Sequence, residues 1–286
     1  MEKNLHDMKV MNQLKGFSIP WKKSQEDVWQ ELEPLVSARE AKVVHIASRN
    51  WIRAVAAILI LLISTGLFLR FFERQLESAY GEHLTHQLPD GSVIELNSGS
   101  SLSYHPFWWR FERSLSFEGE GYFIVQKGTK FSVESDLAAT QVLGTSFTIY
   151  SRDNDYQVTC HTGKVQVFAF NSETSAVLSP NQIARLESDG NLELSSQEAL
   201  PDPMPWKNMI FEFTGTPLKD VLDEIQRQYD VIVNYPDKLN HFYTGGINAN
   251  RDLTTTLNLV CKPFKITFEK ISEGEYKIFE NTAKQN

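Results

Sequence analysis

The spacing of apolar positions changes character along the chain, and each change predicts a different element. Between residues 24 and 36, Val28, Trp29, Leu32, Leu35 and Val36 return at helical intervals on one face. Ser24-Gln-Glu-Asp27 starts that helix, with the Ser24 hydroxyl as N-cap and the Asp27 carboxylate near the first-turn amides. From Ala54 to Leu69 the chain carries no charge for sixteen residues, between Arg53 and Arg70. As a helix this run spans about 24 Å, short against a bilayer core of about 30 Å. Trp51 and Ile52 before it and Phe71 and Phe72 after it extend the apolar length to about 33 Å, with Arg53 and Arg70 snorkelling to the interfaces. A buried helix of a soluble core would keep a polar stripe, and this one has none. The pattern reads as a single membrane span over residues 51–72.

Residues 83–194 carry short alternating runs broken by turn residues every eight to twelve positions, the pattern of an all-β domain. Leu84, His86 and Leu88 alternate up to Pro89-Asp90-Gly91. There proline presets the turn and glycine accepts a left-handed conformation, reversing the chain into Ser92–Asn97. Further strands are expected at 122–125, 140–143, 146–150, 157–160, 164–168 and 182–186. Pro201, Pro203 and Pro205 make 195–205 a linker. Residues 206–281 then read as strands at 209–213, 231–234, 243–247, 265–270 and 275–279 with helices at 217–229 and 253–261, a small α+β domain of order βαβ-βαββ. Thr216 is expected to cap the first helix with Pro217 as its first residue, and Asp252 to cap the second. The fold class is therefore mixed: a short helical segment over 1–50, a transmembrane helix, an all-β domain and an α+β C-terminal domain.

The formal net charge of −8 conceals an asymmetry. Residues 1–53 hold nine Lys/Arg against seven Asp/Glu, and residues from 70 onward hold nineteen against twenty-nine. Arg39, Lys42, Arg49 and Arg53 on the amino side outnumber Arg70 and Arg74, so the positive-inside rule puts the N-terminus in the cytoplasm and exports the acidic body. The apolar run lies too far along the chain for a cleaved leader and reads as an uncleaved anchor. A weakly basic inside and an acidic outside disfavour direct nucleic-acid binding. About fifty residues inside are too few to bury a self-sufficient core, so the apolar helix face needs a partner. A membrane surface would suit Trp29 but not Glu31 and Glu33; a groove on another protein suits both.

Catalytic and metal-binding arrangements fail on geometry. Cys160 and His161 are strand neighbours pointing to opposite faces, and His83 and His86 diverge in extended chain. Cys160 and Cys261 read as core residues. Glu118 and Glu120 share a face if the strand is regular, but Gly119 and Gly121 suggest a bend. Trp108 and Trp109, with Arg110 and Arg113 nearby, are candidates for a sugar-stacking platform, which would make the protein a membrane-anchored glycan or ligand binder. A periplasmic hydrolase is a further alternative. No phosphate-binding loop or nucleophile elbow is present, and no catalytic residue, metal or cofactor is expected.

Leu88-Pro-Asp-Gly-Ser-Val-Ile-Glu-Leu-Asn-Ser-Gly-Ser-Ser-Leu-Ser-Tyr104 resembles the LPDGSxVxLNxxSxLxY signature of FecR-type transmembrane anti-sigma regulators. Arg113-Ser-Leu-Ser-Phe-Glu-Gly-Glu-Gly-Tyr-Phe123, Phe131-Ser-Val133 and Val142-Leu-Gly-Thr-Ser-Phe147 follow in the same family order. The tail is similar to a secretin and TonB short N-terminal domain through Phe211, Phe213, Thr216-Pro217-Leu218 and Val221-Leu222. Gly121, Lys130 and Thr148 depart from the usual residues. The resemblance marks Leu88, Pro89, Asp90, Gly91, Ser92, Asn97, Gly119, Glu120, Tyr122, Phe123, Leu143, Gly144, Thr145 and Phe147 as family-motif positions. It implies a protein of the bacterial inner membrane that binds an extracytoplasmic-function sigma factor through Trp21, Val28, Trp29, Leu32 and Leu35. It further implies that the periplasmic part receives a signal from a TonB-dependent outer-membrane transporter.

Overall fold

The computed structural model describes residues 22–37, 50–198, 202–236 and 238–280, and the chain divides into units 1–61 and 62–286. In the first unit, helix α1 (Gln25–Ser37) begins as its sequence predicts. The Asp27 amide donates to Ser24 Oγ at 3.2 Å, and the Ser24 amide donates back to Asp27 Oδ2 at 3.2 Å. Those two bonds satisfy donors that a helix start otherwise leaves unpaired. Pro34 lies inside α1, where its missing N–H leaves the carbonyl one turn back without its helical donor. Helix α2 (Asn50–Phe71) buries none of its side chains within the protein, and among the described residues it alone is long and apolar enough to cross a membrane. Its 22 residues reach about 33 Å, enough to span with its aromatic ends included. Trp21, Arg39, Lys42 and Arg49 lie outside the described residues.

Thirteen strands form the β body: β1 (Arg74–Ser78), β2 (Leu84–Gln87), β3 (Val93–Leu96), β4 (Ser100–Tyr104), β5 (Arg113–Ile124), β6 (Phe131–Glu134), β7 (Ala138–Val142), β8 (Ser146–Arg152), β9 (Asp155–Thr162), β10 (Val165–Ala169), β11 (Ser175–Leu178), β12 (Gln182–Leu186) and β13 (Leu192–Ser196). They make two sheets that share β5. Its first half pairs with β4 and β6, and its second half with β3 and β8. The alternation along β5 puts Leu115, Phe117 and Phe123 in one buried core with Ile94, Leu96, Leu102, Phe131 and Phe147. Phe123 stacks on Phe147 with ring centres 5.1 Å apart and meets Phe117 edge-on at 5.2 Å.

The change of sheet occurs at Gly119, whose φ is +116°. A Cβ there would stand 2.4 Å from Ser100 Oγ and 2.6 Å from Ser100 Cα, so the backbones can approach only because the side chain is absent. The burial alternation of β5 runs unbroken through this corner, and Glu118 and Glu120 both occupy its less buried positions. Glu118 is exposed, while Glu120 turns into a buried polar cluster.

Strands begin at Arg74, ahead of the expected start at 83, because β1 pairs with β4 and matches Leu76 to Leu102. The expected linker at 195–205 is only partly irregular: β13 runs to Ser196, and a short 3-10 turn at Pro205–Asn208 buries Trp206.

The C-terminal region has the predicted element order: β14 (Ile210–Pro217), α3 (Leu218–Tyr229), β15 (Ile232–Asn234), β16 (Phe242–Asn248), α4 (Leu253–Cys261), β17 (Ile266–Ser272) and β18 (Glu275–Glu280). The pairing differs from two simple βαβ units. β14 pairs with β16 in an antiparallel ribbon, while β15, β18 and β17 form a second sheet. Leu218, Val221, Leu222 and Ile225 of α3 meet Leu257, Val260 and Cys261 of α4 in its core. Asp252 caps α4, accepting from the Thr255 amide at 2.9 Å. Thr216 does not cap α3. It remains in β14 opposite Tyr243, and Pro217 at ψ 134° is the last extended residue before the helix.

Gly119→Ala is expected to lower the stability of the β body by about 3 kcal/mol, from overpacking and positive-φ strain together. Urea unfolding of the full chain reads this as a lowered midpoint; an unchanged midpoint would mean that the corner does not constrain β5.

Candidate functional site

Two places gather the residues that bear on function. The first is the outer face of α1. Trp29 is 64% exposed, Leu35 67% and Val36 67%; Leu32 is also exposed and Val28 half-buried. The helical period puts these apolar side chains on one stripe, and the polar side carries Glu26, Asp27 and Glu31. Lys23 Nζ pairs with Glu31 at 2.6 Å on the surface. An exposed apolar stripe of this kind is the geometry that a helix-in-groove contact uses.

The second place is a polar joint between the β body and α3. Gln228 Nε2 donates to Asn97 Oδ1 at 2.8 Å and to Glu224 Oε1 at 2.7 Å. Asn97 Nδ2 donates to Glu120 Oε2 at 2.7 Å, and Arg227 donates through Nε and Nη2 to Glu224 Oε2 at 3.0 and 2.7 Å. Arg152 closes the body side, donating to the Gly99 and Ser98 carbonyls at 2.8 Å each. The Gly81 amide donates to the Arg227 carbonyl at 2.7 Å, and His83 packs on Trp206 at 5.0 Å. Buried charges are tolerable only when paired and hydrogen-bonded, and here two acids face two arginines.

The motif residues occupy the surrounding frame. Asp90 accepts from the Ser92 amide at 3.1 Å, from Ser92 Oγ at 2.8 Å and from Arg113 Nε at 2.7 Å. Burial pushes the Asp90 carboxyl up, but Ser92 and Arg113 outweigh it and hold it below its ordinary range. Leu88, Phe123 and Phe147 are core residues, and Gly91 takes φ +84° in the turn behind Pro89. Tyr122 meets His161 edge-on at 5.5 Å, and Thr145 Oγ1 donates to the Lys164 carbonyl at 3.0 Å. Leu143 is 65% exposed beside Gly144, outside the core. Asn97, Gly119 and Glu120 thus enter the joint or its corner. Glu224, Arg227 and Gln228 were not singled out from the sequence. Their signal is the spacing Glu-x-x-Arg-Gln on α3, which also fits an ordinary solvated face.

The chemical candidates resolve into structure. His161 Nε2 lies 2.9 Å from Thr148 Oγ1 and His86 Nε2 2.9 Å from Tyr104 Oη, each on its own strand. Cys160 and Cys261 are buried free thiols, each pushed up to about 11 by burial. Trp109 is buried against Tyr104 and Phe131. Trp108 packs on Phe111 instead, so the pair does not form a two-ring platform. No group of three metal-ligating side chains occurs among the described residues.

A FecR protein family model matches residues 74–166, and a FecR C-terminal model matches residues 210–278. Two crystal structures of a proposed anti-sigma factor from Parabacteroides distasonis share this architecture. One, at 2.50 Å resolution, is 24% identical with a TM-score of 0.65, covering 74% of this chain and all of its own. The other, at 1.65 Å, is 25% identical with a TM-score of 0.64, covering 73% of this chain and all of its own. No curated protein sequence matches significantly.

The joint has a pH signature. Glu120 is held above its ordinary 4.5, first by burial and then by Glu224, against the pull of Arg152, Asn97 and Arg227. Glu224 moves the other way: burial raises it, but the Arg227 and Arg152 charges and the bonds from Arg227 and Gln228 prevail and hold it below 4.5. The stability linked to Glu224 is complete above 4.5 and is lost as pH falls through its depressed value; that linked to Glu120 is complete below 4.5 and is lost as pH rises through its elevated value. Glu120→Gln keeps an acceptor for Asn97. It is expected to abolish the loss on the alkaline side and retain the loss on the acid side, read from urea midpoints across pH. Parallel profiles for variant and parent would contradict this assignment.

Proposed function

The chain belongs to the FecR family, a regulatory and non-enzymatic family of anti-sigma factors, and on that premise we propose that it is a single-pass anti-sigma factor of the bacterial inner membrane. In this reading α1 lies in the cytoplasm, as the excess of Arg and Lys before the span favours. It binds an extracytoplasmic-function sigma factor through Val28, Trp29, Leu32 and Leu35, with Trp21 immediately upstream. The observation that carries the reading is the exposed stripe on α1, with Trp29 and Leu35 about two-thirds exposed. Docked in a groove of the sigma factor, that stripe occludes the surface polymerase needs.

The β body and the C-terminal region are the periplasmic receiver, and their partner is the signalling domain of a TonB-dependent outer-membrane transporter. The joint at Asn97, Glu120, Glu224 and Gln228 supports a receiver that acts as one piece, since load on the C-terminal region passes into the strand corner at Gly119. Direct nucleic-acid contact has no part in this account: the effect on transcription runs through the sigma factor.

Trp29→Asp with Leu32→Asp in the full chain is expected to weaken capture of its extracytoplasmic-function sigma factor by about 30-fold or more, because losing a buried aromatic anchor costs about 2 kcal/mol or more. Undiminished capture in a pull-down would refute the helix-face assignment. Deleting residues 206–286 is expected to abolish transporter-dependent induction in a reporter strain while sigma-factor capture persists. Intact induction would remove the receiver role from the C-terminal region.

A further inference from the structure

We infer that the loop between β4 and β5, residues 105–112, is a second membrane contact that seats the β body on the surface of the bilayer α2 spans. Only Phe72 and Glu73 separate the end of α2 from β1, and the loop returns to that point. His105 Nδ1 lies 3.1 Å from the Phe72 carbonyl, and the Phe72 and Phe107 rings are 5.4 Å apart. The Arg70 guanidinium stands 4.8 Å over the Trp108 ring and 3.8 Å from Glu112. Trp108 in turn packs on Phe111 at 4.6 Å. The last turn of the span, where apolar helix gives way to charge, is therefore in contact with an aromatic cluster from elsewhere in the chain.

The loop is held rigid while its rings face outward. Trp109 anchors it in the core, and the Phe111 and Glu112 amides both donate to the Trp108 carbonyl, at 2.9 and 3.2 Å. Phe111 is nevertheless 72% exposed, Phe71 67% and Phe107 54%. An exposed patch of this kind marks an interaction surface, and its position settles the occupant. Rings touching the end of a transmembrane helix lie at headgroup depth, the level at which Trp and other aromatic side chains gain most from an interface. Glu73, Glu112 and Glu134 stand beside Arg70 in the same hollow, so net attraction to anionic lipid is not the driving term. The surface fits a zwitterionic phospholipid. Such seating stops the body from swinging on its two-residue connection and fixes its orientation to the span.

The test uses the full chain in phosphatidylcholine nanodiscs with Phe111→Cys carrying a bimane fluorophore. Cys160 and Cys261 are buried, and the unsubstituted chain gives the labelling background. The control is Phe242→Cys, a ring position of similar exposure on β16. A lipid spin-labelled near its headgroup is expected to quench residue 111 at least about twofold more than residue 242, and aqueous iodide to do the reverse. Replacing a third of the lipid with phosphatidylglycerol is expected to leave both ratios unchanged. Equal iodide access at the two positions would overturn the inference. So would shielding of residue 111 without lipid quenching, which would mean a protein partner, and so would quenching that requires anionic lipid.

Discussion

Ionised groups that leave water must find partners, and that constraint is met in one place on which the β body and the C-terminal region depend. Glu120 from the β body and Glu224 from α3 are compensated by Arg152 and Arg227, with Asn97 and Gln228 as neutral links between them. Removing any member leaves a buried donor or acceptor unmatched, at a cost of about 1–3 kcal/mol. The joint also defines a single docking geometry, because Gln228 has to reach Asn97 and Glu224 with one amide group. Apolar packing between the same surfaces would tolerate sliding; this arrangement does not.

The joint in turn rests on β5. A strand that changes sheets needs a corner, and Gly119 supplies it by letting the backbone pass directly against Ser100. Just past the corner Glu120 accepts from Asn97 in the joint with α3, while Asp90 and Arg113 fasten the other end of β5 to the Pro89–Gly91 turn. Motif residues that look scattered in the chain thus form one mechanical assembly. Pro89, Asp90, Gly91, Ser92 and Arg113 hold the turn, and Asn97, Gly119 and Glu120 hold the joint. Phe123 and Phe147 form the hydrophobic mass behind both.

Elements whose physics is local were legible in the sequence. α1 has its capping pair, α2 its uninterrupted apolar run and α4 its Asp252 cap, and each forms as these residues dictate. Elements stabilised by distant partners were not. β1 has one apolar residue, Leu76, and no alternation to betray it; it is a strand because β4 lies beside it. Thr216 has the side chain of a cap, but pairing with β16 keeps it extended. The sheet pairing in the C-terminal region was hidden for the same reason, since element order does not say which strands are neighbours. Glu224 and Gln228 were the hardest to place, because a polar face on an amphipathic helix reads as solvated until the surface that covers it is known. Trp109 shows the converse: next to Trp108 in sequence it suggests a binding platform, yet the turn between β4 and β5 sends it into the core against Tyr104 and Phe131 and leaves Trp108 at the helix end.

Separate physics thus serves the separate tasks proposed above: an exposed helical stripe for capture, an apolar helix for anchoring, and a polar joint that holds the β body and the C-terminal region as one piece. The central claim is that the capture surface is α1. Hydrogen exchange on the full chain in nanodiscs, with and without the sigma factor, addresses this directly. The account predicts strong added protection across residues 25–37 and unchanged exchange over 74–280. Protection that leaves residues 25–37 untouched, or that appears only in the β body, would contradict it.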